Sequence, residues 1–188
     1  MKKLFFAVVI AAFTMTSAFG QIEAKINPLG AVFGRPDISG EYIISDVFGV
    51  EAGVSFAFGK APGVTVDSYG DATQSGLGFK VSGKYYFSPD EGADGWYGGL
   101  YLRQEALSIT YDNGDYDDFN YTSSIFAGGV EVGKKWVFDS GFLVEAGFGI
   151  GRPFTEKREF SNSNSDYGTD FEIGIDVIGK LAIGYRFN

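Results

Sequence analysis

The chain has 188 residues with no cysteine and no histidine, and its 24 acidic and 15 basic side chains give a formal charge of −9 at pH 7. Disulfides and thiolate metal sites are therefore excluded, and the acidic balance argues against nucleic acid as a partner, because that needs a basic footprint. The combination of 28 glycines with 17% aromatic residues suits strands that are tightly packed on one side and greasy on the other, since helices do not tolerate so much glycine.

The first element is the stretch from Met1 to Gly20, with Lys2 and Lys3 as a positive head, an apolar run from Leu4 to Phe13, and small residues Ala18 and Gly20 before Gln21. The run is too short to cross about 30 Å of hydrocarbon, so residues 1–20 read as a secretory signal peptide cleaved before Gln21. Residues 21–188 are then the mature domain, and losing Lys2 and Lys3 takes the charge from −9 to −11. No later apolar run approaches the ~18 residues of a spanning helix. If the mature chain crosses a membrane, it must do so as a closed barrel.

From there the period is two. Strands are expected over Ile22 to Phe33 and Ile38 to Ile44. In Gly49 to Gly59, Val50, Ala52, Val54, Phe56 and Phe58 share a face opposite Glu51. In Leu77 to Phe87, Leu77, Phe79, Val81, Tyr85 and Phe87 oppose Lys80, Ser82, Lys84 and Tyr86. Leu100 and Leu102 oppose Arg103 and Glu105; Phe126, Val130 and Val132 oppose Glu131; Phe142, Val144, Phe148 and Ile150 oppose Glu145 and three glycines. The last segment, Phe171 to Phe187, is the clearest. Its odd positions are apolar, while its even positions carry Glu172, Asp176, Lys180 and Arg186. That makes about eight antiparallel strands with one greasy and one polar face.

Short connections (Ser45-Asp46-Val47-Phe48, Ser88 to Gly95, Asp139-Ser140-Gly141) alternate with long polar ones (Lys60 to Gly76, Tyr111 to Tyr121, Arg152 to Thr169). Gly34-Arg35-Pro36-Asp37 would be an unusually short first member of the long set. A Val-Glu-Ala-Gly repeat at 50–53 and 144–147 reads as recurrent hairpin grammar rather than duplication.

These features, with the ending Leu181-Ala182-Ile183-Gly184-Tyr185-Arg186-Phe187, resemble small bacterial outer-membrane β-barrels of the OmpX and OmpA-transmembrane kind. The resemblance covers the whole mature chain and implies an all-β, up-and-down transmembrane β-barrel in a Gram-negative outer membrane. It also implies that Tyr185 and Phe187 act as the signal read by the barrel assembly machinery, although Asn188 follows the closing aromatic. No peptidoglycan-binding domain is expected after Phe187, unlike in full-length OmpA-like proteins. Barrel enzymes of this kind rely on histidine, which this chain lacks, so no catalytic residue and no cofactor are expected.

The polar face would line the lumen with Glu23, Lys25, Glu41, Glu51, Lys80, Lys84, Arg103, Glu105, Glu131, Glu145, Glu172, Asp176, Lys180 and Arg186. They would line an ion pathway or form a salt-bridged plug; the plug is preferred because eight strands enclose little more than their own side chains and buried charges must be paired. Glu51 and Glu145 could be nominated as an acid–base pair, but no sequence feature brings them together.

In the loop from Tyr111 to Tyr121, Asp112, Asp115, Asp117 and Asp118 are a candidate Ca²⁺ set, though without the spacing of a known calcium loop; a solvated or adhesive surface is the plainer reading. Lys157 and Arg158 of Glu156-Lys157-Arg158-Glu159 could meet lipopolysaccharide phosphates. Trp96, Trp136, Tyr85, Tyr97 and Phe138 are expected in an aromatic girdle near the short turns.

The expected role is non-enzymatic: a monomer in outer-membrane lipid and lipopolysaccharide that supports the membrane or presents long loops to a surface partner. A small ion or solute channel is one alternative. A soluble periplasmic barrel binding an apolar ligand is another, and it requires the apolar face to point inward.

Overall fold

The structure is a computed structural model and describes residues 20–32, 34–60, 72–87, 89–90, 92–111, 119–161 and 174–187. The signal peptide, Glu172 and the aspartates Asp112, Asp115, Asp117 and Asp118 lie outside the described residues.

Eight strands run up and down: β1 (Gln21–Asn27), β2 (Asp37–Ser45), β3 (Phe48–Lys60), β4 (Ala72–Phe87), β5 (Gly95–Tyr111), β6 (Phe119–Val137), β7 (Phe142–Ser161) and β8 (Asp176–Phe187). Each pairs antiparallel with its neighbours, and β8 returns to β1, so the sheet closes and has no free edge. The stagger follows from the register. Stepping across partners from Phe142 through Tyr185, Ala24, Gly40, Ala52, Val81, Leu102 and Gly128 returns to β7 at Arg152, ten residues further along. Ten residues of stagger over eight strands corresponds to a tilt of about 40° and a lumen that side chains can fill.

The alternation is as expected, with large apolar side chains outside, such as Leu100 at 68% exposure, and charges inside, such as Glu41 and Lys84 at 0%. On β6 the outer face from Trp136 to Phe126, apolar apart from Lys134 near its short-turn end, spans about 25 Å along the barrel axis at this tilt. Beyond it, outward positions turn polar: Ser124, Thr122 and Asn120 on β6, Ser108 and Thr110 on β5.

Several boundaries differ from the sequence expectation. The strand expected over Ile22 to Phe33 stops at Asn27, and Pro28–Val32 forms a short helix, α1. Pro28 has no N–H to give a ladder and suits the first helical position, while Asn27 Oδ1 accepts from Gly30 N (3.3 Å) as the cap. Gly34, at φ +66°, ends the helix; its N–H bonds Ala31 O (3.0 Å), and Arg35 N–H bonds Gly30 O (2.7 Å). The first connection is therefore 28–36 rather than Gly34 to Asp37.

Second, Arg152-Pro153 does not end β7. The register shifts there, with Ala127 opposite Pro153 and Phe126 opposite Thr155, so Phe154 is an extra residue in a bulge. A bulge accommodates the neighbouring proline because the ladder is interrupted there, so the N–H that Pro153 lacks leaves no regular bond unmade. Glu156-Lys157-Arg158-Glu159 thus lies on a strand rather than in a loop. Past the bulge Arg158 faces inward, paired with Glu156, and only Lys157 and Glu159 face out. Third, β4, β5 and β6 extend further than expected, to Ala72, Tyr111 and Phe119, while the last strand, expected from Phe171, begins at Asp176.

Candidate functional site: a lumen filled by charge

Each lumen charge stands on a strand whose neighbours at i±1 point outward, so the sheet itself delivers the charges to a common interior. Near the short turns, Arg186 on β8 donates to Glu23 on β1 (2.7 and 2.9 Å) and to the carbonyls of Gly92 (2.7 Å) and Ala93 (3.1 Å). The β4–β5 turn is folded into the barrel mouth by these bonds and by Ala93 N–H to Asp46 O (2.5 Å). Lys135 on β6 reaches Glu23 (2.9 Å) and Glu41 (3.3 Å). Ile43, Leu143, Tyr86, Tyr97 and Ala93, none more than 3% exposed, fill the space between.

The next layer is denser. Lys25 bonds Glu41, Glu51 (2.7 Å) and Glu145 (2.6 Å). Lys84 bonds the same three acids, at 3.0, 2.6 and 2.6 Å. Lys180 bonds Glu51 (2.6 Å) and Glu145 (3.0 Å), and the Tyr86 hydroxyl donates to Glu41 (2.5 Å). The ammonium groups of Lys84 and Lys135 also lie over the rings of Tyr97 (4.7 Å) and Tyr86 (4.4 Å). Four glutamates thus face four lysines and an arginine, all from different positions on the strand ring. Pairing of this completeness is what burial of charge requires.

Toward the long loops the network thins. Lys80 pairs with Glu131 (2.6 Å); Arg103 pairs with Asp176 and Glu105; Tyr101 donates to Asp176 (2.7 Å); Arg35 reaches Glu105 (3.0 Å). Between these pairs lie two cavities. The smaller, about 150 Å³, abuts Lys80, Lys180 and Glu51, and the larger, about 360 Å³, lies by Asn27, Arg35, Asp37 and Glu105.

The candidate acid–base pair does meet: Glu51 and Glu145 share Lys25, Lys84 and Lys180. Oxygens of Glu41, Glu51 and Glu145 come within 4.8 Å of one another, a spacing that could hold a metal ion. Lysine ammonium groups already occupy that role. Both oxygens of each of the three carboxylates accept a bond from a lysine or tyrosine, which leaves neither a free base nor an open ligand set.

The sequence matches a protein family described as "Protein of unknown function (DUF3575)" over residues 4–172. The chain belongs to that family. Its fold is also similar to the crystal structure of a major outer membrane protein from Thermus thermophilus, with 14% identity and a TM-score of 0.55, covering 91% of this chain and 100% of that one. No curated protein matches the chain.

In this DUF3575 barrel, the described members of the expected lumen set all face inward. Glu23, Lys25, Glu41, Glu51, Lys84, Glu131, Glu145, Asp176 and Arg186 are buried; Lys80, Arg103, Glu105 and Lys180 are half-buried. That orientation is the reverse of what an apolar-ligand barrel needs. Tyr97 is a correction: expected in the outer girdle, it points inward at 1% exposure. With period two, only one of Trp96 and Tyr97 can face out, and Trp96 does.

The position of Tyr97 also explains part of the glycine content. A Cβ at Gly133 or Gly147 would lie 2.5 or 2.6 Å from its hydroxyl, so the ring needs both glycines beneath it. Lys135 is a lumen residue outside the expected set, although Trp136 facing out places it inside by the same alternation.

Proposed function

We propose that the protein is a non-enzymatic outer-membrane β-barrel whose lumen is plugged, with a structural or surface-interaction role. The observation that carries this reading is the apolar outer belt, about 25 Å tall on β6, which matches the lipid-facing band of such barrels. Tyr85, Phe87, Trp96, Trp136, Phe138, Tyr185 and Phe187 are exposed toward its short-turn end, as an interfacial girdle would be. The similarity to OmpX-like barrels and to the Thermus outer membrane protein supports the same location. In this reading residues 1–20 direct export, Tyr185 and Phe187 serve the assembly machinery, and both termini and the short turns face the periplasm. The long-loop end of the strands faces outside the cell, where Lys157 can meet lipopolysaccharide.

The plug favours a structural role over a channel. The charge layers and the inward β4–β5 turn leave the short-turn half of the barrel filled, and an ion would have to part several buried pairs to pass. Purified barrel in a planar lipid bilayer at neutral pH is expected to show no single-channel steps above baseline. Regular conductance steps would instead establish the channel reading.

A further inference from the structure

Charge on the outer face of the strands is sparse. Lys60, Arg152, Lys157 and Glu159 face outward toward the long-loop end. At the opposite end, among the described strand residues, Lys134 alone carries charge outward. Its β6 neighbours on that face are Val132 and Trp136, and across the ladder it pairs with Trp96 on β5 and Ala146 on β7. The ammonium nitrogen sits 5.2 Å from the ring centre of Trp136 and 5.7 Å from that of Trp96. It forms no ion pair with any described residue, in a barrel where the inward lysines are all paired.

Two indole faces hold the cation at one level, and the small Ala146 leaves its third side uncrowded. Val132 and Val130, both more than half exposed, rise from it toward the middle of the belt. A cation held by aromatic rings, uncompensated by protein and set at the foot of an apolar column, complements an amphiphile with an anionic head and hydrocarbon tail. We infer that Lys134, Trp96 and Trp136 form a binding site for the phosphate of an anionic glycerophospholipid in the leaflet at the short-turn end, with an acyl chain lying along Val132 and Val130. The site rests on the membrane placement proposed above. It prefers a headgroup with net negative charge, because in a zwitterionic lipid the phosphate is already compensated by its own cation.

The chain contains two tryptophans, and both flank Lys134, so fluorescence excited selectively in tryptophan reports on this site alone. The barrel would be reconstituted in phosphatidylcholine vesicles containing increasing fractions of acyl-brominated phosphatidylglycerol or, separately, acyl-brominated phosphatidylcholine. Half-maximal quenching is expected at roughly fivefold lower mole fraction for the phosphatidylglycerol. Lys134→Gln should bring the two curves together while leaving the fold intact by gel mobility. Coincident curves in the unsubstituted protein, or a preference that survives Lys134→Gln, would overturn the site. Absence of quenching by either lipid, even at full replacement, would instead show that the tryptophans lie outside a bilayer, and the membrane reading would fall with the site.

Discussion

Glu145→Gln is expected to lower the stability of the folded barrel by about 3–5 kcal/mol, as unpairing a buried ion costs, measured by urea titration in lipid vesicles. The side chain is 0% exposed and accepts from Lys25, Lys84 and Lys180. Neutralising it leaves three buried ammonium groups sharing two fewer oxygens that can bear charge. Lys180 offers the control, since its two described ion-pair partners are Glu51 and Glu145. Glu145→Gln/Lys180→Gln removes one charge of each sign and should recover part of the loss, with a coupling of about 0.5–3 kcal/mol between the two sites. A loss under about 1 kcal/mol for the single variant would mean that water, not the network, satisfies these charges, and the plug would be wrong.

The second large effect lies on the opposite face. Val130 is 54% exposed in the middle of the β6 outer face. In contact with hydrocarbon, Val130→Arg should cost about 2–4 kcal/mol; on a water-facing surface the same change would stay within about 0.5 kcal/mol. Thr122→Arg, eight residues along the same strand and on the same face but beyond the belt, should be near neutral. Equal, small effects at the two positions would show that the belt faces water.

The fold was legible because closure, alternation and buried charge reinforce one another. Asp176 to Phe187 and Leu77 to Phe87 show their two faces without reference to any partner strand, and the polar face told which side would be enclosed. What could not be read is what depends on register. The meeting of Glu51 with Glu145 depends on a ten-residue stagger that no local pattern encodes. The continuation of β7 beyond Pro153 was hidden because a bulge reverses the alternation, so Glu156 to Glu159 lost its strand signature. Pro28 hid a cap and a helical turn behind an apolar run that resembled more strand. Lys135 and Tyr97 were within reach, since extending the β5 and β6 alternation from Trp96 and Trp136 by one residue places both inside.

The most direct test of the account is the gel mobility of the isolated outer-membrane fraction, loaded with and without boiling. A closed sheet leaves no edge for detergent to open, so the protein should be found in that fraction and migrate differently before and after heating. Recovery in the soluble periplasm, with the same mobility heated and unheated, would contradict it.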